Sequence, residues 1–409
     1  MEPIGVYVHF PWCLKKCPYC DFVSFAKERD GIEHEQYADA ILAELERRAG
    51  AFEGRTLATV FFGGGTPSLW APQALGRVLA GIRAATAGRA AFDVEVTVEC
   101  NPSSLDEDRA RALVDVGVNR LSVGVQGLEP ERLRFLGRLH DAEGGLDAVR
   151  AALRAGVPRV SADLIYGVAV AAPEAGPKYL AGGPTQEQSP REAAAEARRV
   201  AETGVTHVSA YSLTIEPGTQ FGELSRRGRL PIANEDGVAE TFFAIEEALS
   251  ASGLRHYEIS NYAREGHEAR HNLGYWRGHD YVGLGCAAFG TVSGRGAGVH
   301  EGFALRYRNP IDPARYMRAA LAGEAEVESE EPLDPETRLR ERIMLGLRLR
   351  EGFDLERSAA EVGAEAWTSS RRQAAERLVK RGKLTIEGGT IRVPRDAWVL
   401  ADGIAAELF

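Results

Sequence analysis

Short apolar, β-branched runs alternate along this chain with longer stretches whose apolar residues recur every three or four positions. The runs fall near residues 5–10, 58–62, 92–99, 118–125, 158–166 and 205–213, with amphipathic stretches at 34–49, 72–85, 105–116, 141–155 and 190–203 between them. A continuous apolar run reads as a strand buried on both faces, and a parallel neighbour requires a crossover of about a dozen residues or more. Six such units predict the α/β class and a partial (β/α)6 barrel over residues 1–235, with its chemistry at the carboxyl ends of the strands. A further helix is predicted near 235–252, and 236–330 reads as an α+β extension. From 331 to 409 the pattern changes to a winged-helix-like module. Its helices are predicted near 336–350, 354–362 and 366–381, with Pro332 and Pro335 ahead of the first, and a hairpin turns at Gly388-Gly389. The stretch 168–190, rich in Ala, Gly and Pro, has no period and reads as a mobile flap beside the barrel mouth.

Composition narrows the function classes. The chain has 409 residues, 44% of them hydrophobic, enough for the cores of two or three domains. A net charge of -10 argues against a generally basic nucleic-acid surface. In the tail, Arg371, Arg372, Lys380, Arg381 and Lys383 alternate with acidic residues and read as a solvated face, so no nucleic-acid partner is expected. Five cysteines without regular pairing fit a reducing compartment, and no run approaches the ~18 apolar residues of a membrane span. A cytoplasmic protein without an integral membrane segment is expected.

Polar groups of unusual kind stand at all six predicted strand ends. Cys13, Cys17 and Cys20 follow the first, and three closely spaced thiolates can wrap zinc or an iron-sulfur cluster. Structural zinc wants four protein ligands, whereas Cys100 and Cys286 stand alone and His9 lies inside the predicted strand; a three-thiolate cubane with one open iron fits better. The second strand runs into Gly63-Gly64-Gly65-Thr66-Pro67, where glycines let the backbone approach a ligand and expose free amides. Glu99 ends the third strand, where an ionised carboxylate is costly unless paired or ligand-bound. Gln126, Asp163 and the Ser209-Ala210-Tyr211 segment end the next three. Each has an ordinary structural account alone; their coincidence at one mouth favours a ligand site.

The CxxxCxxC spacing of Cys13, Cys17 and Cys20 resembles the radical S-adenosylmethionine (SAM) superfamily, and the whole barrel resembles its oxygen-independent coproporphyrinogen III oxidase group. The resemblance implies a [4Fe-4S] cluster on the three cysteines, with SAM chelating the open iron. It further implies cofactor contacts from Tyr7, Tyr19, Gly64, Gly65, Thr66, Glu99, Gln126, Arg138, Asp163 and Ala210. Among these, Glu99 and Asp163 would accept from ribose or amine groups and Arg138 would meet a carboxylate bidentately. Helix capping is the structural alternative for any of them.

A second cluster, His267 through Trp276, sets histidines beside large aromatic faces. Such a pairing suits an axial ligand on a flat macrocycle, although spacing alone favours His271 as a hydrogen-bonded core residue. The segment Glu258-Ile259-Ser260-Asn261-Tyr262-Ala263 followed by His271-Asn272, Tyr275 and Trp276 resembles the heme chaperone subfamily of that group. This implies heme held by His271 against Tyr275 and Trp276, with His267, His279 and His300 as substitutes. Delivery to acceptor hemoproteins such as respiratory enzymes follows, with at most peripheral membrane contact. Phe22 stands where the oxidases carry a further cysteine, which demotes the alternative of porphyrinogen decarboxylation; Phe289 stands where chaperone relatives commonly have a His. A winged-helix regulator sensing iron-sulfur status is the weakest reading, because its surface is not basic overall.

Overall fold

The computed structural model describes residues 2–86, 88–171, 185–294, 300 and 302–409. Six strands, β1 (Glu2–Phe10), β2 (Arg55–Gly64), β3 (Ala90–Cys100), β4 (Arg120–Gln126), β5 (Arg159–Tyr166) and β6 (His207–Ser212), lie parallel in the order β6-β5-β4-β3-β2-β1. The crossovers are the helices His34–Arg47, Pro72–Ala85, Glu107–Asp115, Ala142–Arg154 and Pro190–Ala201, close to the expected spans. Their starts are chemically marked: Asp106, Asp141 and Ser189 accept from the backbone N–H three residues on, and Ser189 with Glu192 completes a capping box. One face of the sheet packs on these helices through fully buried residues such as Val8, Phe62, Val98, Val123 and Val208, and the other encloses the bore.

Residues 236–330 complete both edges of this same sheet. Asn261–Ala263 pairs antiparallel with β6 and with Arg255–Glu258; at the other edge Tyr281–Leu284 runs parallel to β1, followed by Phe289–Ser293, Ala304–Arg308 and Ser329–Leu333. Twelve strands result, so the barrel is open. Pro332, expected ahead of a helix, lies in the outermost strand, where its missing N–H costs no ladder bond. Pro335 is the first residue of helix Pro335–Gly346.

That helix opens the carboxyl-terminal module, with Leu355–Val362, Ser369–Lys380, a hairpin of Thr385–Glu387 and Thr390–Arg392, and a closing helix Ala401–Glu407. The module is joined to the barrel edge by backbone bonds, Ile259 N–H to Arg348 O at 3.0 Å and Arg350 N–H to Tyr257 O at 3.1 Å. Arg371, read from sequence as part of a solvated face, is instead 1% exposed and donates to Leu408 O, Glu365 O, Ala366 O and Glu336. Several acceptors gathered by folding make its burial affordable. The stretch 168–190 is also corrected at its ends: Ala169–Ala171 pairs antiparallel with Thr185–Glu187, because backbone pairing needs no side-chain period. The remainder of that proposed flap, 172–184, lies outside the described residues.

Helix Arg270–Trp276 closes the bore toward the amino-terminal ends of the strands. A buried ion pair ties it down. Arg120 Nε donates to Glu95 Oε2 at 3.0 Å and Arg120 Nη2 to His267 O and Glu268 O at 2.8 and 2.9 Å, while Glu95 Oε1 accepts from His271 N–H at 3.0 Å.

Candidate cofactor site at the barrel mouth

The cysteine loop and the glycine loop are built against each other. Phe25 N–H donates to Pro11 O and Lys27 N–H to Cys13 O, both at 2.8 Å, folding the chain back around the thiols. Gly65 N–H donates to Phe10 O at 2.7 Å, Thr66 N–H to Trp12 O at 2.8 Å, and Thr66 Oγ1 lies 3.4 Å from Cys13 Sγ. Two glycines are required here. Gly64 has φ of 106°, and a Cβ there would stand 2.5 Å from the His9 ring; one at Gly65 would stand 2.6 Å from Trp12 O. The expectation of free amides is therefore overturned. Gly64 N–H goes to Glu99 at 3.1 Å and the next two to carbonyls of the cysteine loop, because buried N–H groups must find acceptors.

A cavity of about 450 Å³ opens above this junction. It brings together Cys13, Cys17, Tyr19, Cys20, Gly64, Gly65, Thr66, Glu99, Gln126, Arg138 and Asp163. Burial, then the charge of Asp163, raises Glu99 to about 8, and burial raises Asp163 to about 6 despite bonds from Ser122 and Ser209. Burial likewise pushes Cys20 up to about 11. Arg138 Nη2 donates to Gly124 O at 2.7 Å and Nη1 faces Cys17 Sγ at 3.5 Å, while Nε is buried without a partner. Gln126 holds a positive φ of 67°, a strained backbone for a residue with a Cβ. Among the described residues no three His, Cys, Asp or Glu side chains converge as a single metal ion would need. Three thiols on a loop around an opening, a guanidinium beside one of them with its Nε unpartnered, and two carboxylates lining the same cavity fit a cluster with a small zwitterionic ligand.

Two residues assigned by resemblance lie elsewhere. Tyr7 is beneath the glycine loop, bonding His9 Nδ1 at 3.0 Å and stacking on Phe61, outside the cavity lining. The Ala210 methyl sits in the helix-side core, since Ser209 and Tyr211 take the bore face of that strand. Ser209 and Tyr211 of the strand-end segment line the cavity, as do Ser122 and Ser161, which sequence reading missed although a period of two back from Gln126 and from Asp163 contains them. Cys100 also reaches the cavity, though its thiol is turned to Val98 O at 3.5 Å.

Comparison with known proteins agrees with this geometry. The Radical SAM superfamily model matches residues 7–170 and the HemN C-terminal domain model residues 333–400. The chain is 36% identical to heme chaperone HemW of Escherichia coli over 80% of each chain, and 32% identical to heme chaperone HemW of Mycobacterium tuberculosis over 100% of this chain and 95% of that one. The chain belongs to the HemW family. It is also 33% identical to the mitochondrial radical S-adenosyl methionine domain-containing protein 1 of Bos taurus, over 85% of this chain and 74% of that one. The fold matches that of coproporphyrinogen III oxidase (HemN) from Escherichia coli with a TM-score of 0.77 at 22% identity, covering 100% and 90% of the two chains.

In this HemW-family chain the segment around His271 does not present one ligand face. His271 is 3% exposed and both ring nitrogens are engaged, Nδ1 with Thr59 Oγ1 at 2.8 Å and Nε2 with Tyr275 Oη at 2.9 Å. Burial pulls it down to about 3, so it is neutral, and its ring stacks on Phe61. That corrects His271 as the preferred ligand: binding iron would require breaking a bond in a sealed interior. Tyr275 and Trp276 instead wall a second cavity of about 330 Å³ outside the closing helix, with His279, Arg306 and Arg342. His267 lies beside Arg120, which takes its carbonyl, and His300 is exposed near Phe303. Phe22 is 53% exposed at the mouth, and Phe289 lies under the Arg308 guanidinium.

Proposed function

We propose that this chain is a heme chaperone that carries a [4Fe-4S] cluster and SAM at its barrel mouth and hands heme to acceptor hemoproteins in the cytoplasm. The observation that carries the reading is the identity to the Escherichia coli heme chaperone HemW, 36% over 330 residues. Cys13, Cys17 and Cys20 hold the cluster, and when bound it supplies an iron position open to an amino and carboxylate chelate. Around it the chain's residues do electrostatic work. The orphaned Arg138 Nε donates to a ligand carboxylate, and Glu99 and Asp163 face the cationic end. Both carboxyls are held toward neutrality by burial, so an arriving cation favours their ionised forms and displaces a proton. No helix among the described residues is long and apolar enough to cross a membrane.

The test is anaerobic. Reconstituted protein is titrated with heme by absorbance and assayed in parallel for decarboxylated porphyrinogen and 5'-deoxyadenosine. Heme uptake without product supports the chaperone. Robust turnover transfers the assignment to an oxidase, the alternative that Phe22 speaks against.

A further inference from the structure

The second cavity, outside the closing helix, takes no part in the cofactor site. It holds about 330 Å³, within the range that takes a drug-sized ligand, and nearly all of its lining is half-buried, so it opens to solvent on one side. Its walls are large and apolar: Tyr275 and Trp276 from the end of the closing helix, Tyr281 and Leu333 from the extension strands, and Leu345 from helix Pro335–Gly346. The Tyr275 ring is fixed in place, edge-to-face with Tyr281 at 4.7 Å between centroids and held through its hydroxyl by His271 Nε2 at 2.9 Å. Walls ordered in advance bury a flat apolar ligand at little cost in side-chain freedom.

Two polar groups in this lining lack partners. The His279 side chain makes no hydrogen bond among the described residues, and its ring lies over the closing helix, Nδ1 standing 3.6 Å from where a Cβ on Gly274 would be. Burial, then the charges of Arg277 and Arg342, lowers its pKa, so the imidazole is neutral, the form that ligates a metal. Arg338 donates to Gly302 O at 2.7 Å and forms no ion pair among the described residues. The other charges of the lining are matched: Arg306 with Glu341 at 2.6 Å, Arg342 with Glu361 at 2.7 Å and Asp280 with Arg55 at 2.7 Å. One nitrogen is too few for a free metal ion, but it suffices for an iron whose in-plane positions a macrocycle already fills. Aromatic walls then cover the macrocycle, and a free guanidinium suits a carboxylate at its edge.

The position of the cavity separates it from the mouth. Tyr281 pairs with Gly5, and Gly5 N–H donates to Asp280 O at 3.1 Å, so the cavity stands at the amino-terminal level of β1. The cysteine loop begins after Phe10, roughly 17 Å further along that strand, with the closing helix between.

We propose that His279 supplies the axial imidazole for a heme laid against Tyr275 and Trp276 in this outer cavity, with Arg338 meeting a propionate, at the end of the barrel opposite the cofactor mouth. This rests on the heme-handling reading above and gives it an address. A heme held there has its propionates out of reach of chemistry at the mouth, as carriage without conversion requires. His271 is then a positioning residue, which holds Tyr275 rather than iron.

The experiment titrates ferric heme and its dimethyl ester into full-length reconstituted wild type, His279→Ala, His271→Ala and Arg338→Ala, followed by absorbance and electron paramagnetic resonance. His279→Ala should bind heme at least about tenfold more weakly and lose the imidazole-ligated spectrum, and added imidazole should restore that spectrum on the protein. Arg338→Ala should weaken the diacid about threefold and leave the affinity for the ester unaffected. His271→Ala should keep the imidazole-ligated spectrum. Saturating SAM should leave the heme affinity of wild type unchanged. Wild-type affinity and spectrum in His279→Ala, loss of the ligated spectrum in His271→Ala alone, or displacement of heme by SAM would each overturn the outer site, the last by placing heme at the mouth. Those three outcomes leave the chaperone reading standing, whereas absence of heme binding by wild type removes both. The competition with SAM needs no variant, so it decides even where a substituted chain misfolds.

Discussion

The mouth and the floor of the bore are built from the same kinds of residue and reach opposite ends. At the floor, Arg120 and Glu95 are 1% and 0% exposed, and every guanidinium nitrogen has a partner, as do both nitrogens of His271. At the mouth, Glu99 and Asp163 are pushed toward neutrality and Arg138 Nε is left bare. A buried polar network that satisfies itself is structure; one left incomplete awaits a ligand. The difference explains why a histidine in an aromatic motif can be a closing bolt while a less conspicuous arginine is the better candidate for binding.

Substitutions at the two ends should therefore fail differently. The largest effect is expected for Cys13→Ala, which should drop reconstituted iron from about four per chain to near zero while circular dichroism is kept. A variant that retains full iron would show that Cys13 is not a ligand. At the floor, Arg120→Ala removes the nearest counter-charge of Glu95, leaving Arg270 Nε at 3.9 Å, and should cost about 3 kcal/mol in urea unfolding. A loss below about 1 kcal/mol would mean the pair is not what holds the closing helix. Arg138→Ala should weaken SAM binding by roughly tenfold or more in calorimetry, yet leave the unfolding midpoint nearly unchanged. The reverse pattern would erase the contrast between the two ends.

The smallest effect concerns pH. The Glu99 carboxyl is raised to about 8 from an ordinary value of 4.5, so without ligand its protonation favours the folded state and that contribution falls as pH rises through about 8. Glu99→Gln should accordingly gain stability relative to wild type between pH 5 and 8, by roughly 1–3 kcal/mol, and gain little more above. SAM affinity of the wild type should rise over the same interval, and the slope should flatten in the variant. A parallel pH profile for the two proteins would place Glu99 outside the titrating set.

Apolar periodicity placed the six strands and their helices to within a few residues, because the helix-side face of each strand holds apolar side chains, as Val6 and Val8 and Leu121, Val123 and Val125 show. Eleven of the residues assigned from strand ends and from the family resemblance meet in one cavity. The assignment failed where a side chain's direction mattered. Ala210 lies one position from Ser209 and Tyr211 and so faces the opposite side. The glycine loop was legible as a close approach, but its partner was the cysteine loop, far away in sequence.

The sequence by itself determined the order of strands and helices, the three-thiol loop and the level at which polar groups emerge, since periodicity and spacing are local properties of the chain. Only the tertiary structure decided which buried polar atoms are satisfied. Whether His271 is free depends on Thr59, and whether Arg371 is buried depends on Leu408. Hydrogen-bond and charge partners are chosen by distance in space, and pairs such as Thr59 with His271, 212 positions apart, carry no mark of it in either residue's neighbourhood.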